Sequence, residues 1–150
     1  MENRNSRDIW VRVESMLSAC ILCPHQCGVN RLAGETGRCR AGVLPKVALA
    51  SLHHWEEPCI AGPRGSGAVF FSGCNLQCRY CQNQRISQQD FGETVSRERL
   101  AEIFLAQQTQ GAHNLNLVTP TPYVPQIIAA LELARKAGLT LPVVYNSSAY

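Results

Sequence analysis

Ala68-Val69-Phe70-Phe71-Ser72-Gly73-Cys74-Asn75-Leu76-Gln77-Cys78-Arg79-Tyr80-Cys81 joins a short apolar run to three thiols. The run Ala68 to Phe71 is continuous and apolar, which predicts a strand buried on both faces of a parallel sheet. Gly73 lets the chain turn sharply off that strand. Cys74, Cys78 and Cys81, at x3 and x2 spacing, then fall at its carboxyl end. In parallel α/β proteins that end carries the loops that do chemistry. Three thiolates this close can hold three corners of an iron–sulfur cubane, and a fourth Cys would close it. None follows in the loop, so one iron stays open to a substrate, as in catalytic metal sites. The competing reading is three small hydrophobes on one helical face. It explains neither the strand-then-loop placement nor the polar residues between the thiols.

Downstream the pattern alternates. Ser96 predicts an N-cap with Glu98 in the first turn. Leu100, Ile103 and Phe104 follow at helical spacing, and Gly111 marks the stop. Leu115 to Val118 is a second strand. Pro125 suits the first turn of a second helix with Ile127, Ile128, Leu131 and Ala134 as its inner face, and Gly138 ends it. Leu141 to Tyr145 is a third strand. Strand, loop, helix, strand, helix, strand implies a parallel α/β sheet with right-handed crossovers. The sequence stops at Tyr150 with no helix to cover the third strand. The expectation is therefore a truncated chain or a fragment of a longer α/β protein.

Upstream, residues 7–19 read as a short amphipathic helix through Ile9, Trp10, Val13, Met16 and Leu17. Residues 20–42 form a knot rich in Cys and Gly, too poor in apolar residues for a core of its own. A metal is its natural staple. Cys20, Cys23, Cys27 and Cys39 have the close first pair of a structural zinc site or of a second iron–sulfur cluster. The x3 gap and the solitary last Cys fit a zinc ribbon poorly, and His25 is a further candidate ligand. Reduced thiols without metal remain the alternative. Val47 to Leu52 is an apolar run, and Gly62 to Gly67 reads as a turn or linker. The sequence thus divides into an extension over residues 1–62 and an α/β part over residues 63–150.

Three smaller features take the plainer reading. Cys59 is left over and is expected to be peripheral or buried. His53, His54, Glu56 and Glu57 are read as surface or packing groups, because neighbours on an extended segment face opposite ways. Arg38, Arg40, Arg64, Arg79 and Arg85 are read as solvated surface.

Composition narrows the classes. The 150 residues are 45% apolar and 17% charged, which excludes disorder, collagen and coiled coil as global descriptions. A net charge of +3 without a Lys/Arg block gives no reason to expect nucleic acid or an anionic membrane. Eight Cys stand out. Residues 9–22 are broken by Arg12, Glu14 and Ser15, so they make neither a signal core nor a membrane span. A reducing, cytoplasmic setting is expected, where thiols serve as ligands rather than disulfides.

The pattern Cys-x3-Cys-x-aromatic-Cys, with Tyr80 as the aromatic, resembles the signature of the radical S-adenosylmethionine (radical SAM) superfamily. Phe70 through Ser87 is similar to the branch related to pyruvate formate-lyase activating enzyme. Cys20-x2-Cys23-Pro24-x2-Cys27, His54-Trp55-Glu56-Glu57-Pro58-Cys59 and Thr119-Pro120-Thr121-Pro122 resemble its activating-enzyme-like subgroup. The resemblance implies a [4Fe–4S] cluster on Cys74, Cys78 and Cys81, with the amino and carboxylate groups of SAM on the open iron and Tyr80 near the adenine. It implies reductive cleavage of SAM to methionine and a 5′-deoxyadenosyl radical, which abstracts hydrogen from a substrate such as a glycyl position of a partner protein. The implied electron donor is a flavodoxin or ferredoxin. The implied fold is the N-terminal part of a partial (β/α)6 TIM-like barrel, three strands of it here, behind a small Cys-rich extension. The family's Gly-Gly-Glu motif after the second strand is replaced by Thr119-Pro120-Thr121-Pro122, so Thr119, with Asn146 and Ser148 after the third strand, are the candidate SAM-binding groups. Two other readings stand beside this one: a zinc-holding structural module, and a truncated remnant that binds a cluster without turnover.

Overall fold

The computed structural model describes residues 4–149. A five-stranded mixed sheet in the order β3-β1-β2-β4-β5 carries the fold. The strands are β1 (Lys46–His53), β2 (Ser66–Phe71), β3 (Glu93–Thr94), β4 (Leu115–Val118) and β5 (Val143–Asn146). The helices are α1 (Arg4–Ser18), α2 (Pro58–Ala61), α3 (Gln84–Ser87), α4 (Arg97–Thr109) and α5 (Val124–Lys136).

β2, β4 and β5 run parallel and are joined through α4 and α5, in the order the apolar runs predict. The expectation of an all-parallel, three-stranded sheet is corrected at the other side. The Val47 to Leu52 run is a strand, and it pairs antiparallel with β2 from Val47↔Phe71 to His53↔Ser66, with a bulge between Val47 and Leu49. β3 then pairs antiparallel with β1. Ser66 and Gly67 belong to β2 rather than to a linker. A Cβ at Gly67 would stand 2.9 Å from both the Asn114 carbonyl and Gln107 Cβ, so the strand packs closely there.

The core lies where α4 and α5 cover one face of the sheet. Val47, Val69, Phe71, Leu115 and Leu117 meet Leu100, Phe104, Ile127, Ala130 and Ala134 in one buried cluster. Burying each Leu or Phe side chain contributes roughly 1.5–3 kcal/mol. The other face carries Leu49, Phe70, Val118 and Val144 and is only half covered, Leu49 being 52% exposed.

Local signals set the helix ends. Ser96 Oγ accepts from the Arg99 N–H at 3.1 Å, capping α4. Gly111 (φ +86°) and Gly138 (φ +100°) follow α4 and α5 in conformations that favour glycine. Pro125 sits in the first turn of α5. Two expected inner faces are corrected in part. Ile128 is 48% exposed while Ile127 and Ala134 are buried. On α1, Val13 and Leu17 are buried but Met16 is 47% exposed. The side chains of Ile9 and Trp10 lie outside the described ones. No helix among the described residues is long and apolar enough to cross a membrane.

Candidate metal centre

The Cys74–Cys81 loop leaves β2 through Ser72 and Gly73. Gly73 has φ +85°, and a Cβ there would collide with the Cys39 carbonyl oxygen. Its N–H donates to the Ile86 carbonyl at 2.9 Å, while the Ser72 N–H donates to Lys46 at 2.9 Å. Ser72 Oγ donates to the Phe91 carbonyl. The chain is therefore fixed on both sides before the first thiol.

The loop's own carbonyls are gripped from outside. His25 Nε2 lies 2.8 Å from the Asn75 carbonyl. An Arg38 guanidinium nitrogen donates to Leu76 at 3.4 Å, and Gln77 Nε2 donates back to the Arg38 carbonyl. Gln88 Nε2 donates to the Cys78 carbonyl at 2.8 Å, and the Cys81 N–H closes a turn onto the same carbonyl at 3.3 Å. Gln77 takes φ +52° to make the bend. With their backbone held this way, Cys74 and Cys81 are half-buried, Cys78 is exposed, and all three are free thiols.

Among the described residues, no three His, Cys, Asp or Glu side chains converge to hold a single metal ion. A cubane asks for something else, because each thiolate binds a different iron. Three free thiols on a clamped loop, with exposure on one side, fit that donor requirement. Cationic groups surround the loop. Arg38 is bonded as above, Arg40 donates to the Gln88 carbonyl at 2.6 Å, and the Arg85 guanidinium lies 4.5 Å from the Phe91 ring centroid. Arg38 and Arg40 are exposed, as the sequence reads them, and also hold backbone. A cleft of about 440 Å³ opens beside the last thiol, lined by Cys81, Asn83, Gln84, Arg85 and Phe91 among others.

The other candidate cofactor-binding residues are spread around this end. Tyr80 is 94% exposed beside Cys81. Thr119 follows β4 directly, at φ +59°, a strained value for a β-branched residue. Its N–H donates to the Asn146 carbonyl at 2.9 Å. Thr119 and Asn146 therefore share the carboxyl end of the parallel strands with the Cys loop. Ser148 is exposed two residues beyond β5.

In the N-terminal knot, Cys20 and Cys39 are buried, Cys23 is half-buried and Cys27 is exposed. Burial pushes the Cys39 thiol up; a backbone hydrogen bond at Ala41 and the Arg31 charge act against this, and nearby Cys20 and Cys23 add to it. The group that sequence reasoning missed is Arg31, which is 2% exposed. One guanidinium nitrogen donates to the Pro122 carbonyl at 2.5 Å; the other donates to Cys20 Sγ at 3.1 Å and Cys39 Sγ at 3.6 Å. A 3-10 turn over Arg31–Ala33 places it there. Asn30 Oδ1 accepts from the Ala33 N–H at 3.1 Å, and Gly34 closes the turn at φ +83°. His25, a candidate ligand by sequence, grips the Asn75 carbonyl instead. Cys59 is exposed on α2. Of the His53, His54, Glu56 and Glu57 stretch, His53 Nδ1 and Glu56 Oε1 stand 3.8 Å apart, and Glu56 accepts from Asn116 Nδ2 at 3.2 Å.

Residues 60–148 match the 4Fe–4S single cluster domain family. The match covers more than half of the chain and contains Cys74, Cys78 and Cys81. The chain belongs to this family, which occurs in radical SAM-related proteins, and it is an iron–sulfur protein. It is also similar to an uncharacterized protein of Methanocaldococcus jannaschii, at 31% identity over 97% of this chain. The chain spans 44% of that relative's length. No solved structure matches the chain.

Proposed function

We propose that this chain carries the cluster-binding part of a radical SAM enzyme of the activating-enzyme type. The observation that carries the reading is the clamped loop of three free thiols at the carboxyl end of β2, with no fourth Cys in the loop. Cys74, Cys78 and Cys81 would hold a [4Fe–4S] cluster by three corners. When bound and reduced by one electron, such a cluster supports cleavage of the SAM sulfur–C5′ bond to methionine and a 5′-deoxyadenosyl radical.

The chain's residues supply position and charge. The cleft beside Cys81 is within the usual size of small-ligand sites. Arg85 on its wall suits a carboxylate, and Tyr80 is free to stack on an adenine. Thr119, Asn146 and Ser148 offer polar groups at the same end of the sheet. On this reading β2, β4 and β5 are the first three strands of a partial (β/α)6 barrel, and Thr119 to Pro122 stands where activating enzymes carry a carboxylate. The hydrogen donor would be a substrate such as a glycyl residue of a partner protein, the electron donor a flavodoxin or ferredoxin, and the setting a reducing cytoplasm.

The test is anaerobic reconstitution followed by EPR of the dithionite-reduced protein, with and without SAM. A reduced [4Fe–4S] signal that changes on adding SAM supports the reading. A cluster signal indifferent to SAM leaves a cluster-binding remnant, and a colourless zinc protein sinks the iron reading as well.

A further inference from the structure

We propose that the N-terminal knot is a second iron–sulfur site, in which Cys20, Cys23, Cys27 and Cys39 hold a cluster beside the buried Arg31 guanidinium. It lies outside the residues that match the single-cluster family, which begin at residue 60.

The argument starts from Arg31. Its side chain is almost wholly inside the protein, and a buried charge needs a counter-charge. Among the described residues its partners are one carbonyl oxygen and two sulfurs, with no carboxylate, and its Nε has no partner. Among the described residues the groups beside it that can carry negative charge are the Cys20 and Cys39 sulfurs and the Tyr123 phenol, which burial keeps protonated. A cluster ligated by four thiolates carries net negative charge at that place, and donors to the sulfurs are a normal part of such sites.

The fold ties the loop that carries the remaining two thiols to the buried pair. The Cys20 N–H donates to Val29 at 3.0 Å and the Gly28 N–H donates to Cys20 at 2.9 Å. These bonds close a loop that carries Cys23 and Cys27. Cys27 Sγ reaches the Cys20 carbonyl at 3.9 Å. It also fills the space over Gly37, where a Cβ would stand only 2.6 Å from it. Gly37 lies two residues from Cys39, so Cys27 is held between the segments that carry the two buried thiols.

The placement of the sulfurs favours a cluster over a single ion. A mononuclear zinc site needs its four ligands at one point, about 2.3 Å from the ion. No such convergence exists among the described residues. Two sulfurs share the Arg31 guanidinium while the other two lie along the neighbouring loop, which suits a polynuclear cluster, in which each thiolate takes its own iron.

The experiment counts iron, sulfide and zinc after anaerobic reconstitution of the whole chain and two variants. About eight irons and eight sulfides are expected for two [4Fe–4S] clusters in the parent chain. The triple variant Cys74→Ala/Cys78→Ala/Cys81→Ala is expected to lose half and stay brown. Cys23→Ser/Cys27→Ser, at the less buried positions, is expected to lose the other half. A triple variant that binds no iron, or binds one zinc, overturns the proposal while leaving the radical SAM reading intact. Should the triple variant not fold, about four irons in the parent chain overturns it equally. A parent chain with a full second cluster whose first cluster ignores SAM supports the proposal and sinks the other reading.

Discussion

Gly73 is where backbone geometry and chemistry meet. Its φ of +85° and its contact with the Cys39 carbonyl leave no room for a side chain. Gly73→Ala should cost about 1–3 kcal/mol from the strained conformation alone, and more from the collision. The expected outcome is a lower unfolding midpoint in urea together with reduced iron after reconstitution. A variant with full iron content would show that the loop does not depend on this turn. The thiols themselves are legible in the sequence, because their spacing is local. The groups that hold their loop are not. His25 reaches across 50 residues to Asn75 and Arg38 across 38 to Leu76; in the N-terminal knot, Arg31 reaches across 91 to Pro122. Nothing in the local pattern around Arg31 announces a buried cation. The only hint is Asn30 with Gly34, which mark a tight turn without saying which side chain it aims inward.

Among the elements, those read correctly end in local chemistry. α4 starts at Ser96 and stops before Gly111, and α5 starts around Pro125, because caps and breakers act within a turn. Glu98 gives this a pH signature. Burial alone would raise its carboxyl, but hydrogen bonds from Arg97, its own backbone and Ser96 hold it below the ordinary value. A lowered carboxyl pKa contributes stability above the unfolded value, lost as pH falls through the folded one. Glu98→Gln should therefore be slightly less stable than the parent at neutral pH, with the difference gone in acid. Equal urea midpoints at pH 7 would refute this. β1 is not legible as a strand in the sequence, for the opposite reason. Val47 and Leu49 are separated by a bulge, and Ala48, Ala50 and Ser51 give only a weak alternation. What makes the segment a strand is its pairing with β2, which no local pattern encodes.

For the whole molecule, the sheet ties the N-terminal segment to the parallel part. β1 lies between β2 and β3, and Gly73 rests on Cys39, so the knot, the sheet and the Cys74–Cys81 loop share contacts. Metal binding to such a loop should register in global stability, because ligands held in the folded state are lost on unfolding. Stripping iron anaerobically with a chelator should lower the thermal midpoint by about 2–4 °C for each kcal/mol of binding removed. A midpoint indifferent to iron would mean that the folded chain holds no iron in preference to the unfolded one. The strand order of the parallel part was readable, whereas the mixed character of the sheet was not, since it arises from a strand donated by the Cys-rich side.

The grip of the knot on the loop also has a temporal side. A ribosome delivers the knot before the loop, since synthesis runs from the N-terminus. His25, Arg38 and the Cys39 carbonyl are thus already outside the exit tunnel when Cys74 to Cys81 emerge. The residues that grip the loop are thus on hand when its thiols appear, and the expected consequence is a shorter interval in which they lie open to oxidants or to mispairing. A circular permutant that places residues 20–42 after the loop would invert that order, and its yield of cluster-loaded protein in air would reveal what the natural order contributes.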